Sequence, residues 1–541
     1  MITTRLYSGF FIGAALILSA CGPGAATAPI PVLSPATAAP APPPVVEKAP
    51  VPESSPALPP IPLETGPLAI KVVYPDTGQL IQSKDSNFIF GSVGNGEAGL
   101  TINGILTPVW PNGSFMGWLP NPPADNPVYE IIATTGADTA RVTHRVKIAA
   151  PPVGPVAPPD TIIPMTGERY AQLIGPATYQ SDTDRVVTGY APAGGVERWF
   201  LLPNTVLKVV GTKGTDAYVM PDSTQTLRIE KAEYKLLDSG TKVTSLRSSA
   251  FTMKNSPEWT DFVIPLTARP AYLVAESAST LRVILYGTRA SRRQQGPVKP
   301  ATSSYVTSVT AVTVGPQVQY TFALKGPIYG YQPIWEEGKL TFRIRKPPVI
   351  AQASPLMGLT IAVDPGHPPI GATGPTGLWE PVPTLDVGFK VRELLQAKGV
   401  NVLMTRTTAD PVDLNLRGTM ARRGNANALV SIHLNALPDG INPFRAQGTE
   451  TYHYHLHSGP LAESVQKTAV ANLGLPDNGA KRRNLALARP TWMPAILVEG
   501  AFIMMPDQEA AMRTPEYQEK YAKGIVDGLE NYFRALAATQ R

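Results

Sequence analysis

Between Leu68 and about Ala150 the hydrophobic residues come in short runs: Ile70–Tyr74, Asn87–Val93, Leu100–Val109, Tyr129–Thr134 and Ala140–Ile148. Gly, Asn, Pro and Asp punctuate them, a pattern that predicts a small antiparallel sandwich over 67–150. Short strands over 166–238 predict a small β-barrel. Longer alternating stretches, among them Tyr272–Tyr286 and Val318–Leu324, predict a second sandwich over 244–347. After Met357 the period changes. Leu359–Val363 reads as a strand, followed by a helix over Thr384–Lys398 with Val387, Val391, Leu394 and Leu395 at three-to-four spacing, stopped by Gly399. Strands are expected at Asn401–Thr405, Ala428–His433, Thr449–Tyr454, Leu485–Ala488 and Ala495–Val498, with helices at Leu414–Asn425 and Leu461–Leu473. A terminal helix buries Ala522, Ile525, Val526, Leu529 and Phe533. The expected fold class is therefore multidomain. All-β modules precede an α/β domain over 357–536 with a mixed, mostly parallel sheet flanked by helices. Ligands of such sheets gather at the strand ends.

Composition changes this picture in two places. Proline, 58 of 541 residues, is about twice its usual frequency of ~5%. It crowds into 21–66 and 151–165, which predict as extended linkers. The charged fraction of 16%, against roughly 25% in ordinary soluble domains, suits a β-rich extracytoplasmic protein. The net charge is only +6, and Met357–Arg541 carries 18 Lys and Arg against 17 Asp and Glu. A nucleic-acid partner, which needs a concentrated basic face, is not expected.

The single cysteine, Cys21, excludes an intramolecular disulfide and a cysteine-rich zinc module. Arg5 precedes an apolar run, Phe10 to Leu18, that is shorter than the ~20 residues a membrane span requires. Residues 1–20 therefore read as a signal peptide. Leu18-Ser19-Ala20-Cys21 resembles the lipobox of bacterial lipoproteins, which implies lipidation of Cys21 and attachment to a membrane through that lipid. With no Asp after the cysteine, the expected location is the cell envelope, at the outer membrane and facing the periplasm.

Four polar side chains stand out in the α/β region. His367 ends the first strand, Glu380 opens the first helix, His433 interrupts the apolar ALVSIHLNA, and Glu499 interrupts PAILVEGAF. A carboxylate or imidazole on a buried strand is costly unless a partner, a proton or a metal offsets it. Two histidines and a carboxylate at converging strand ends suit an open catalytic metal site. Each residue alone has an ordinary reading: His433 as a hydrogen-bonded core residue, Glu380 as a helix-start carboxylate, Glu499 as the partner of a buried Arg489 or Arg406.

The ordered motifs add to this. VDPGH at Val363–His367, then Gly371-Ala372, Gly374, Gly377 and Glu380, is followed by MTR at Met404–Arg406 and LNLR before AN at Leu414–Asn427. SIHLNA at Ser431–Ala436, GTETYHY at Gly448–Tyr454, NLALAR at Asn484–Arg489 and PAILVEGAF at Pro494–Phe502 complete the series. Together they resemble the zinc-dependent N-acetylmuramoyl-L-alanine amidases over essentially all of Leu359–Phe533. The resemblance implies one Zn2+ per catalytic domain on His367, Glu380 and His433. It also implies hydrolysis, by a zinc-activated water, of the amide joining N-acetylmuramic acid to L-alanine in peptidoglycan, with Glu499 as general base and acid. Asn435 and Arg406 are expected to contact substrate. The barrel at 166–238 resembles a Src-homology-3-like module, and 244–347 resembles the envelope-binding modules that precede many such amidases. Envelope or division proteins are the partners expected for the β modules, and wall remodelling or daughter-cell separation is the expected role.

Two readings from other classes remain beside it: a peptidoglycan-binding lipoprotein without catalysis, and a zinc peptidase acting on stem peptides. Pro368 and Pro369, where the family has glycines, give the first its support. Only a short connection, Leu456–Pro460, follows GTETYHY, so no built-in inhibitory helix is expected there. His453, His455 and His457 alternate as on one strand face, with same-face Cα atoms about 6.6–6.8 Å apart. They are expected to form an exposed polar surface rather than a metal site.

Overall fold

The computed structural model describes residues 46–136, 138–149, 161–174, 186–194, 198–290, 296–298 and 305–540. The signal peptide, Cys21, the first part of the 21–66 linker and residues 151–160 lie outside them. The described part of the first linker does not hang free. Val46 donates its amide to Thr134 Oγ1 (2.9 Å), Val51 and Ile61 pack beside Trp110, and Leu58 packs on the core of the C-terminal domain. The apolar residues interleaved with its prolines give an extended chain something to bury.

The first module has a three-stranded sheet (Lys71–Tyr74, Ser86–Ser92, Ser114–Pro120) and a four-stranded one (Gly99–Ile102, Ile105–Leu106, Val128–Thr135, Asp138–Arg145). The single strand expected at Leu100–Val109 is instead a hairpin. Asn103 and Gly104 both take positive φ (50° and 77°), the backbone that an Asn-Gly turn provides. Strand Ser86–Ser92 is buried on both faces. Ile89 points into the module's own core, while Phe88 and Phe90 meet Phe502, Met504 and Met505 of the C-terminal domain.

Seven antiparallel strands from Ile163–Leu173 to Tyr234–Leu236 make the second module. The third stacks a four-stranded sheet, containing Trp259–Pro265, Gly330–Glu336 and Lys339–Arg345, on a five-stranded one, containing Tyr272–Ser277, Thr280–Leu285 and Gln317–Leu324. Phe262, Tyr320, Phe322 and Phe342 fill the space between. The long strand expected at Tyr272–Tyr286 turns back at residues 278–279 to form a hairpin. Arg345 fastens this module to the C-terminal domain, donating to the carbonyls of Asn425 (3.1 Å), Ala426 (2.6 Å) and Trp492 (3.1 Å).

The C-terminal domain follows the order β1 (Thr360–Pro365), α1 (Pro381–Ala397), β2 (Asn401–Met404), α2 (Leu414–Arg423), β3 (Ala428–Asn435), β4 (Thr449–His453) and α3 (Gly459–Leu473). It ends with β5 (Asp477–Arg482), β6 (Ala495–Phe502), α4 (Pro506–Met512) and α5 (Pro515–Ala538). The sheet order is β2-β1-β3-β6-β4-β5, parallel except for the β4–β6 pair. Asp413 caps α2 by accepting from the amides of Asn415 and Leu416, and Thr514 caps α5 through Tyr517. Leu485–Ala488, expected as a strand, holds a single 3-10 turn at Ala486–Ala488. The edge strand is instead β5, whose DNGAKR carries no apolar alternation for sequence reading to find. Between β4 and α3 there is one 3-10 turn, Leu456–Ser458, and no inhibitory helix.

Candidate active site

Three parallel strands end side by side. β1 runs into His367, β3 carries His433, and β6 carries Glu499, which stands opposite His433 in the parallel register. Glu380 arrives from the loop ahead of α1. His367 Nε2 lies 3.1 Å from Glu380 Oε2, and His433 Nδ1 lies 3.1 Å from Glu380 Oε1. One ligand atom from each of the three residues falls within 4.8 Å of the others, a spacing one cation can bridge. Glu380 is buried, whereas His367 and His433 are partly exposed, so the cluster faces a mouth on one side.

The backbone explains the motif residues. A side chain at Gly366 would lie 2.5 Å from the His433 ring, so only glycine lets the two strand ends approach. His367 itself takes a left-handed φ of 58°. Its carbonyl and that of Pro368 accept from Arg417 Nη2 (2.9 and 3.1 Å), while Arg417 Nη1 pairs with the fully buried Asp364 (3.0 Å). Asp364 also accepts from Thr405 and Ser431, so its charge is fully met. The Gly-rich loop is shaped by Glu509 of α4, which accepts from the amides of Thr376 and Leu378.

Glu380 receives two backbone amides, Ala372 (3.0 Å) and Leu434 (3.0 Å), in addition to the histidines. Burial opposes its ionisation, but the hydrogen bonds and charges of His367 and His433 outweigh that, holding its pKa far below the usual carboxylate range. Glu499 is the reverse case. Burial pushes its carboxyl well above the usual range, with the Glu380 and Glu450 charges adding to the effect. Its Oε2 is enclosed and has no hydrogen-bond partner among the described residues. A carboxyl of raised pKa beside a metal-ligand cluster suits proton transfer.

The remaining sequence expectations divide. Asn435 sits at the partly exposed end of β3, two residues past His433. Arg406 is buried, and its guanidinium donates to the carbonyls of Pro365, Gly366, Pro381 and Thr408. It positions the strand end instead of facing a substrate, and neither it nor Arg489 pairs with Glu499 in the described hydrogen bonds. His455 and His457 are not an exposed strand face. β4 stops at His453, and the two rings stack (5.4 Å, 11° apart) in the interior against Glu276 of the third module. Asp364, Arg417, Glu450 and Tyr521 were not singled out from the sequence. Asp364, Arg417 and Glu450 lie within the motifs VDPGH, LNLR and GTETYHY, but the intervals between them give no sign of contact.

Fold and site together place three side chains that could hold one cation at the strand ends of an α/β domain. Residues 361–531 match the N-acetylmuramoyl-L-alanine amidase domain family. The chain is 34% identical over 187 residues to the N-acetylmuramoyl-L-alanine amidase LytC of Bacillus subtilis, covering 34% of this chain and 37% of that protein. It is 31% identical to the germination-specific N-acetylmuramoyl-L-alanine amidase of the same organism, over 33% of this chain and 81% of that one. A solved structure, the N-acetylmuramoyl-L-alanine amidase of Clostridium difficile 630, is 32% identical over 32% of this chain and 96% of that one, with a TM-score of 0.30. The chain belongs to the N-acetylmuramoyl-L-alanine amidase family, and its C-terminal domain is a cell-wall amidase catalytic domain.

Proposed function

We propose that the protein hydrolyses the amide between N-acetylmuramic acid and L-alanine in peptidoglycan, using one Zn2+ held by His367, Glu380 and His433. Two imidazoles and a carboxylate are a catalytic zinc donor set, and the partly exposed histidines leave one side for substrate. The observation that carries the reading is the enclosed, unpartnered Oε2 of Glu499 beside that set. Bound zinc would supply positive charge that polarises a carbonyl and acidifies water.

The chain's own residues do the rest. Glu499 takes the proton of the attacking water on its carboxylate and returns it to the nitrogen of the leaving L-alanine amine. Its raised pKa makes the carboxylate a stronger base than an ordinary glutamate, which suits a group that takes a proton in one step and gives it up in the next. Ala372 and Leu434 amides fix the Glu380 carboxylate, and Arg417 fixes the His367 carbonyl, so two of the three ligands are held before metal arrives. Tyr521 packs its ring against Gly500 and donates to the carbonyl of Val498 (2.8 Å), which anchors the strand on either side of Glu499.

Lipidation at Cys21, sorting to the outer membrane facing the periplasm, and a role in wall remodelling or daughter-cell separation belong to the same proposal. Among the described residues no helix is long and apolar enough to cross a membrane. Mass spectrometry of digested peptidoglycan tests the bond. Intact stem peptides beginning at L-alanine are expected; shortened peptides would instead make it a peptidase.

A further inference from the structure

Two residues of the cation cluster have apolar neighbours in the chain that the fold leaves outside. Past His367 comes Ile370, 73% exposed, and around Glu380 stand Trp379 (38%) and Val382 (50%). One large apolar side chain in water is ordinary; three within three residues of the cluster make a lip that asks for a partner. The frame beneath them is stiff. Arg417 holds the carbonyls of His367 and Pro368, and Pro369 has its φ fixed by its ring. The other arm of the loop is closed by Gly374 donating to the carbonyl of Leu378 (2.9 Å) and Glu380 to that of Ala372 (2.9 Å). Gly371 places the indole. A Cβ there would stand 3.1 Å from Trp379 Nε1 and 2.8 Å from Pro381 Cδ, so a bare backbone is what admits the ring. The next residue, Ala372, donates its amide to Glu380 Oε2, the oxygen that lies 3.1 Å from His367 Nε2. The indole thus abuts the residue next to the one that holds the cluster's carboxylate.

We propose that Trp379, flanked by Ile370 and Val382, is the platform on which a sugar ring of the glycan strand lies while the amide it carries is cut. The inference rests on the amidase reading, because that reaction brings a sugar to the cluster: the scissile carbonyl is joined to the pyranose ring of N-acetylmuramic acid by a short lactyl bridge. That ring has the gluco configuration with its substituents equatorial, so its faces present C–H bonds that suit a flat aromatic ring. The charge of the lip favours the same occupant. From Pro368 to Thr384 the only charged side chain is Glu380, which is buried. The lip therefore offers no cation to the carboxylates of a stem peptide or to the anionic headgroups of a membrane, whereas a neutral sugar needs none.

Peptide-free glycan strands, titrated into the full chain carrying Glu499→Gln and followed by tryptophan fluorescence, test the platform. Binding with a change in emission is expected. Adding Trp379→Leu, which keeps apolar area and loses the flat ring, should weaken binding about tenfold. Trp379→Tyr should keep most of the affinity and lose the emission change. In the enzyme with Glu499 intact, Trp379→Leu should raise KM for peptidoglycan by a like factor. Equal affinity in Trp379→Leu, or an emission change of the same size in Trp379→Tyr, would overturn the proposal. An emission change produced by phosphatidylglycerol vesicles and not by glycan would overturn it too. Should Trp379→Leu lose its metal, the affinity and emission of Trp379→Tyr still decide. Stem peptide released by a protein whose glycan binding is indifferent to Trp379 would remove the platform alone. Glycan binding that depends on Trp379, in a protein that releases no stem peptide, would remove the amidase reading and leave the sugar site standing.

Discussion

At the residue scale the site separates two glutamates by their surroundings. Glu380 meets two imidazoles and two amides, which hold its pKa down; burial and the neighbouring carboxylates push that of Glu499 up. The roles can be told apart by substitution. Glu499→Gln should retain about one zinc per chain while turnover falls on the order of 10²–10⁴-fold. His433→Ala should lose both metal and turnover. Metal analysis beside muropeptide release reads the two outcomes, and unchanged turnover in Glu499→Gln would remove the proton-transfer role. The sequence showed these four residues because each is polar where its neighbours are apolar. Arg406 misled for the opposite reason. Its motif placed it near the site, but the carbonyls that consume its donors belong to segments up to 41 residues away.

At the element scale the ligand loop depends on a buried strand-to-helix pair, Asp364 of β1 with Arg417 of α2, both almost wholly enclosed. Removing one partner leaves a buried charge uncompensated, which costs about 3–5 kcal/mol. Arg417→Ala should therefore lower the melting temperature of the catalytic domain by several degrees and weaken zinc retention. A melting curve unchanged from wild type would show that the pair is not what holds the loop. β6 sets a second requirement. A methyl at Gly500 would come 2.3 Å from the Tyr521 ring, so Gly500→Ala should cost about 1–3 kcal/mol through overpacking, measurable by thermal unfolding. Most strand and helix identity in this domain was legible from period, but Leu485–Ala488, expected as a strand, holds a 3-10 turn. β5 was not, because both its faces are only partly buried and it carries no alternation.

At the scale of the whole molecule, the β modules are part of the enzyme's packing. Phe88, Phe90, Trp110 and Met116 cover Phe502, Met504 and Met505, at and just beyond the end of the strand that bears Glu499. The fragment Met357–Arg541 should therefore keep metal-dependent turnover, since only a 3-10 turn joins β4 to α3, yet melt below the full chain and aggregate more readily. Equal melting temperatures would contradict the cover. Glu233, at the junction of three modules, adds a pH dependence. Its carboxyl ionises near 4.3 in the unfolded chain and at about 7 when folded. Folding thus holds its proton, and the group costs stability progressively as pH rises from about 4.3 to 7. Glu233→Gln should gain melting temperature over wild type at pH 8, with the difference closing below pH 4.3. A constant difference across that range would exclude the mechanism.

Local pattern determined most of the strands and helices, the change from β strands to an α/β region, and the four polar residues, His367, Glu380, His433 and Glu499, that stand among apolar neighbours. Those are properties of period and of polarity against neighbours, and both are written along the chain. Tertiary structure alone decided that Arg406 clamps backbone, that His455 and His457 lie inside against Glu276, and that the expected spacer at 46–66 is laid onto the domains it precedes. Each of those outcomes is settled by a surface brought in from a distant part of the sequence, and burial between distant surfaces leaves no mark on local spacing.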